Sequence, residues 1–201
     1  MRRALPIVAA LALPAAARAA DPAPPYAQPM DFHLLAGPGG VVERNARFPI
    51  AVSMGADVGH RPFGGALGTG VSFSSMTSLD GRWNVLSLGL QGKLDVLYVL
   101  ASHFWTRSPS LVPLLPLRLL FGGRLGFDVS VSQNKPSTPQ QPEAPYVLLF
   151  PGAQLFVDFE VPLNRARTFY FIGRAAFDVG LNSDLQRWSA LVGLGYGWGG
   201  G

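Results

Sequence analysis

The chain has 201 residues, with 16 basic and 12 acidic side chains and a formal charge of +4. Only 14% of the residues are charged, against about 25% in soluble domains, and the mean hydropathy is +0.24. The absence of cysteine excludes a disulfide framework and any thiolate metal centre.

At the N-terminus, Arg2 and Arg3 precede an apolar run over residues 4–17, and Ala17-Arg18-Ala19 places small residues where a signal peptidase reads. This predicts a secretory signal over residues 1–19, too short to span a membrane and without a stop-transfer pattern. Arg2, Arg3 and Arg18 leave with it, so 13 basic and 12 acidic side chains remain and the mature charge is +1. A nucleic-acid partner is therefore not expected. Residues 20–30, including "DPAPPYAQP", read as a flexible lead-in, and residues 31–199 as one domain. No mature segment approaches the roughly 20 apolar residues of a membrane helix. An apolar exported chain of this kind has a ready solution in a closed barrel, where every backbone group pairs strand to strand.

Seven segments alternate with period two, the period of a strand with two unlike faces. In residues 48–58, Ile50, Val52, Met54 and Val58 oppose Ala51, Ser53, Gly55 and Asp57. The turn-like "GHRPFGG" follows and places His60 in solvent. Residues 67–77 split more weakly, with Val71 and Phe73 against Gly70 and Ser72. Across residues 84–100, Leu86, Leu88, Leu90, Leu94, Val96 and Tyr98 oppose Ser87, Gly89, Gln91, Lys93 and Asp95. In residues 118–131, Leu119, Phe121, Leu125 and Phe127 oppose Arg118, Arg124 and Asp128. Three glycines and two valines there argue against a helix. In residues 153–161, Leu155, Val157 and Phe159 oppose Gln154, Asp158 and Glu160. In residues 169–181, Phe169, Phe171, Phe177 and Val179 oppose Arg174 and Asp178. In residues 188–198, Trp188, Val192, Leu194, Tyr196 and Trp198 oppose a row of glycines.

A soluble barrel would turn its polar face to water and fill it with Lys, Glu and Thr. Here that face is mainly Gly, Ser and Ala with a few charges, which suits a narrow lumen. Trp188 and Trp198 lie ten positions apart on one face, roughly 23 Å along a strand tilted near 45°. That matches the apolar band of a membrane barrel, about 25 Å tall and edged by aromatic girdles. Trp83, Trp188, Tyr196 and Trp198 are the candidate girdle residues.

The chain thus resembles the small bacterial outer-membrane β-barrels of the OmpA and OmpX kind. The resemblance rests on the signal sequence, the alternation and a last strand ending in aromatics. It implies an all-β fold, a closed antiparallel transmembrane β-barrel of about eight strands with a salt-bridged lumen, in the outer membrane of a Gram-negative cell. It implies contact with outer-membrane lipids and lipopolysaccharide, and with the barrel assembly machinery during biogenesis. One departure is that Gly199, Gly200 and Gly201 follow Trp198, whereas the assembly signal of such proteins normally ends at the terminal aromatic.

Eight strands need one more than the seven segments. Either residues 31–42 supply a first strand, interrupted by the turn-like "GPGG" at Gly37–Gly40, or residues 84–103 form a hairpin turning near Gly92-Lys93. The first is favoured, because apolar alternation runs through Gln91-Gly92. With a periplasmic C-terminus, the polar, proline-rich residues 133–145 and residues 182–186 form surface loops, and the greasy residues 104–116 lie on the periplasmic side.

The expected lumen network is Lys93, Asp95, Arg118, Arg124, Asp128, Gln154, Asp158, Glu160, Arg174 and Asp178, with Asp57. With a turn centred near Arg165, Arg174 lies diagonally beside Gln154 and Asp158. Buried charges of this kind need partners. Catalysis has little support: no metal-ligand spacing links His33, His60 and His103, so neither a metal nor a cofactor is expected. On a strand, Ser102 and His103 point to opposite faces and cannot act together. Gly195-x-Gly197-x-x-Gly200 matches a dinucleotide fingerprint, but no helix can follow it. The expected function is a structural or surface-interaction barrel presenting loops to lipopolysaccharide or to an envelope or surface protein. A narrow pore is the alternative, and a lipid-modifying enzyme a more distant one.

Overall fold

Strand alternation becomes a closed ring in the structure, a computed structural model. It describes residues 28–42, 50–61, 66–81, 83–104, 117–132, 146–164, 166–180 and 186–199. The expected signal segment, most of the lead-in, the loop at 133–145 and most of the greasy segment at 104–116 lie outside the described residues.

The strands are β1 (Met30–Val42), β2 (Ile50–His60), β3 (Leu67–Ser78), β4 (Trp83–Asp95), β5 (Arg118–Ser132), β6 (Tyr146–Pro162), β7 (Phe169–Gly180) and β8 (Gln186–Trp198). One helix, α1 (Val96–Phe104), follows β4. Each strand pairs antiparallel with its sequence neighbour, and β1 pairs with β8, so the sheet closes without a free edge. Met30 lies opposite Trp198, which puts the start of β1 and the end of β8 at the same end of the barrel.

The eighth strand comes from residues 30–42, as favoured, but "GPGG" does not interrupt it. β1 keeps one register with β2 from Met30↔His60 to Gly40↔Ile50. On its other side, Gly37 and Pro38 drop out of the ladder with β8, which resumes at Gly39↔Ser189 in the same register. A proline lacks the N–H that a ladder needs, so the gap falls where the sequence cannot pair.

The apolar stretch after β4 corrects a second expectation. The strand ends at Asp95, and Val96–Phe104 is helical, so there is neither a strand to Leu100 nor a hairpin at Gly92-Lys93. Asp95 is the switch: its Oδ1 accepts the Tyr98 N–H at 3.0 Å, the reach of an N-cap residue to the third helical position. A continuous apolar run fits either period, and the cap decides between them. Ser102 and His103 accordingly lie on a helix rather than a strand. His60 is exposed, as expected, but ends β2 instead of sitting in the turn.

The burial pattern is inverted. Among the described residues, Leu35, Tyr170, Ile172 and Leu191 form one apolar cluster inside the barrel, and Leu120, Phe150 and Phe156 are buried as well. Most of the large hydrophobics are outside, with Leu90 72% and Leu155 71% exposed. Charged groups are inside, with Asp95, Asp128, Asp158 and Glu160 all at 0% exposure. A water-soluble fold buries charge only when paired and rarely exposes contiguous apolar surface on this scale.

The glycines of the inner face make room for this packing. A side chain at Gly152 would occupy the space of the Asp128 carboxylate, and one at Gly59 that of Asp31. At Gly193 an added Cβ would meet the Leu34 carbonyl and the Leu35 Cα, both backbone and unable to swing away. Gly193→Val should therefore destabilise the barrel by about 1–3 kcal/mol, as at other overpacked sites, and so lower its unfolding midpoint in urea. A midpoint equal to wild type would mean that β8 does not approach β1 this closely.

Candidate functional site: a salt-bridged lumen

All ten residues of the expected lumen network are buried. They form two layers. The layer nearer the termini contains Asp31 and His33 of β1, Asp57 of β2, Arg61 just beyond it, Lys93 and Asp95 of β4, Arg118 of β5, Asp158 and Glu160 of β6 and Arg174 of β7.

Arg174 is its hub. The guanidinium holds Asp158 with two bonds, Nε to Oδ1 at 2.6 Å and Nη2 to Oδ2 at 2.7 Å. Nη2 also donates to Asp57 Oδ2 at 2.5 Å across the lumen. The planar fork of arginine suits this bidentate geometry, which a point-charge ammonium cannot reproduce. The Phe156 ring lies 4.4 Å from the guanidinium carbon, adding a cation–π contact. Lys93 Nζ lies 3.2 Å from Asp158 Oδ2, 3.5 Å from Asp57 Oδ2 and 3.2 Å from His33 Nδ1. Arg118 joins Asp95 and Glu160, each at 3.0 Å, and Arg61 joins Asp31 at 2.8 Å.

The second layer lies further along the barrel. Arg124 Nη2 meets Asp128 Oδ1 at 3.2 Å and Asp178 Oδ1 at 3.1 Å, and Nη1 reaches Ser74 Oγ at 3.3 Å. Gln154 Nε2 donates to Asp178 at 2.8 Å. Arg187 of β8 donates to Asp128. Arg124 and Asp128, four residues apart on one strand, thus share the inner face and touch along it.

Register brings acid and base together. Arg174 lies directly opposite Asp158 and Arg118 directly opposite Glu160. The diagonal placement expected for Arg174 is corrected by two residues, because β6 and β7 pair Pro162 with Tyr170 and the turn centres one position later than expected. Asp31, His33, Arg61 and Arg187 join the network beyond the residues expected for it. Three of them carry the period-two signal: Asp31 and His33 alternate with Phe32 and Leu34, and Arg187 precedes Trp188. The apparent turn at "GPGG" hides the first two. Arg61 lies past its strand, where no alternation marks a face.

Of the aromatic residues, Tyr196 and Trp198 are exposed and stack at 5.9 Å, with Phe169 beside them at 5.1 Å from Tyr196. Trp188 is half-buried on the same alternation at the other end of β8. Trp83 differs: it opens β4 in phase with the inward Val85 and Ser87, so it lies at the mouth on the lumen side instead of in a lipid-facing ring.

Cavities of about 10 Å³ lie in the interior, one lined by Ser53, Asp57, Ser72 and Ser87 and another by Asp31, Arg61, Gln91 and Lys93. Each is no larger than the space of a single water. A groove of about 890 Å³ lies instead against the outer wall of β3 to β7. Thr69, Gly92 and Gly123, consecutive across three strands, form its floor, and Leu94, Phe121 and Leu155 are among its walls.

No protein-family model matches the chain, and no curated protein sequence does. Among solved structures, Neisserial surface protein A superposes with a TM-score of 0.61 at 11% identity, covering 84% of this chain and 97% of that one. The N-terminal β-barrel domain of Pseudomonas aeruginosa OprF gives 0.47 at 15% identity, covering 84% and 97%. The Yersinia pestis attachment invasion locus protein Ail gives 0.46 at 10% identity, covering 83% and 97%. The likeness to the Neisserial protein establishes the fold as that of the eight-stranded outer-membrane barrels. With an apolar exterior, a charged interior and no open sheet edge, the chain is an outer-membrane β-barrel.

Proposed function

We propose that this barrel is a closed, non-enzymatic scaffold that holds its loops at the cell surface for interaction with lipopolysaccharide or with an envelope or surface protein. The observation that carries this reading is the filled lumen: among the described residues, eleven contacts of Arg and Lys with carboxylates join the charges inside it, and the cavities of about 10 Å³ are of single-water size. An eight-stranded barrel has an interior just wide enough for side chains, and here side chains take that width. Among the described residues, this filling supports a closed scaffold over a pore or a catalytic cleft inside the barrel.

With the termini in the periplasm, the ends of β1, β3, β5 and β7 reach the outer rim of the barrel, and α1 lies on the periplasmic side. The longest outward loop, at 133–145, is polar and rich in proline, a composition that favours exposure over packing. It rises from β5 and β6, the longest strands at 15 and 17 residues.

Two measurements test the proposal. Folded protein in planar bilayers should show no discrete conductance steps, and regular single-channel openings would replace the scaffold reading with a pore. Deleting residues 136–145 should leave heat-modifiable migration on gels intact while abolishing adhesion of expressing cells to lipopolysaccharide-coated or host-cell surfaces. Full adhesion by the deletion variant would remove the loop from the proposed role.

A further inference from the structure

One group of buried polar atoms is not accounted for by the ion pairs that fill the lumen. In the layer near the termini, Glu160 Oε1 and Asp31 Oδ1 have no hydrogen-bond partner, and both face the same ring nitrogen. His33 Nε2 lies 3.7 Å from Glu160 Oε1 and 3.9 Å from Asp31 Oδ1, too far for hydrogen bonds. The three side chains retain 1%, 0% and 7% of their exposure, so water does not satisfy them freely. Asp158 closes the group: one ligand atom each from His33, Asp158 and Glu160 lie within 4.8 Å of one another.

We propose that His33, Glu160 and Asp31, with Asp158 beside them, form a binding site for a divalent metal ion of the zinc class inside the barrel. A zinc ion holds nitrogen and oxygen ligands at about 2.0–2.2 Å, so its ligand atoms stand roughly 3–4 Å apart; the separations of His33 Nε2 from Glu160 Oε1, 3.7 Å, and from Asp31 Oδ1, 3.9 Å, lie in that range. One imidazole with carboxylates is a donor set that zinc accepts and that magnesium, which prefers oxygen and water, does not favour.

Two further features suit a cation. Among the described residues, this layer buries five carboxylates (Asp31, Asp57, Asp95, Asp158 and Glu160) against four permanent cations (Arg61, Lys93, Arg118 and Arg174). A metal-ligating histidine also usually donates its other ring N–H to a carboxylate. His33 Nδ1 lies 3.9 Å from Asp57 Oδ2, and Asp57 Oδ1 has no hydrogen-bond partner. Metal binding uses the lone pair of Nε2 and puts the ring proton on Nδ1, so the Lys93 ammonium, 3.2 Å from that nitrogen and itself only a donor, must turn away and leave Nδ1–H to Asp57. Lys93 then rests on its other contacts, Asp57 and Asp158.

The test uses the folded full chain in detergent micelles, stripped with a chelator and titrated calorimetrically with zinc chloride. One saturable zinc per chain is expected, together with a higher thermal unfolding midpoint. His33→Gln should weaken binding by at least about ten-fold, and Glu160→Gln similarly. His60→Gln, at the exposed end of β2, should leave it unchanged. Absence of saturable binding in the wild type, or undiminished binding in folded His33→Gln, would overturn the proposal. Because loss of either ligand can also impair folding, cobalt absorption on the wild type provides an independent readout. A visible d–d band of nitrogen–oxygen ligation at one equivalent supports the site, and a spectrum matching cobalt in buffer overturns it.

Discussion

Replacing Arg174 with methionine should cost the barrel about 3–5 kcal/mol, the usual penalty for removing one partner of a buried ion pair. The guanidinium bonds Asp158 twice and Asp57 once, and both carboxylates retain at most 1% of their side-chain exposure. Methionine preserves much of the volume and the packing on Phe156 but leaves Asp158 and Asp57 sharing the single charge of Lys93. The cost therefore arises from stranded charge and not from a cavity. Pairing the change with Asp158→Leu removes one of the stranded carboxylates and leaves Lys93 to Asp57. The double variant should recover a large part of the loss, since apolar replacement of a whole buried pair is often neutral or stabilising. Urea unfolding in detergent, followed by tryptophan emission, measures both. A single variant within about 0.5 kcal/mol of wild type, the range of ordinary surface substitutions, would mean that the lumen is hydrated and the network ornamental.

Placing an arginine on the outer wall should be equally damaging, for the opposite reason. Leu90 and Leu125 face each other across β4 and β5, 72% and 68% exposed, near the middle of both strands. In a water-soluble barrel, an exposed leucine exchanged for arginine would change stability by no more than about 0.5 kcal/mol. In a lipid-facing barrel, arginine at the midplane costs about 2–4 kcal/mol, falling to about 0–1 near the interfaces. Leu125→Arg should fall in the first range and Ile50→Arg, at the start of β2, in the second. The depth dependence is the diagnostic feature, because a general effect of charge would strike both sites alike. Equal, small effects at the two positions would return the apolar surface to water and end the membrane assignment.

The sorting of side chains is legible in the order of residues alone. Alternation is a local property: it assigns Arg118, Arg124 and Asp128 to one side of β5 and Phe121, Leu125 and Phe127 to the other without knowledge of what lies beside them. Composition then chooses which side meets lipid. The same logic fails where the local signal is ambiguous. The run after Asp95 is apolar at nearly every position, so period two and period 3.6 fit it equally, and only the Asp95 cap on Tyr98 shows the helix. "GPGG" resembles a turn because glycine and proline usually mark one, yet β1 pairs with β2 straight through it.

Which charge meets which lies beyond the sequence. That depends on register, and register depends on turn length and on the fit of whole strands: moving one turn centre by a single residue shifts every facing pair by two. Arg174 thereby passes from a diagonal neighbour of Asp158 to its direct partner. Closure of β1 on β8 is less local still, since it joins the two ends of the domain and brings His33 beside Glu160, 127 positions away. That this protein is an inside-out barrel follows from its residues in order, because each strand's two faces are written into its alternation. How the buried charges pair, and which are left to face one another, follows only from the assembled fold, because those contacts exist once eight strands share one register around a closed ring.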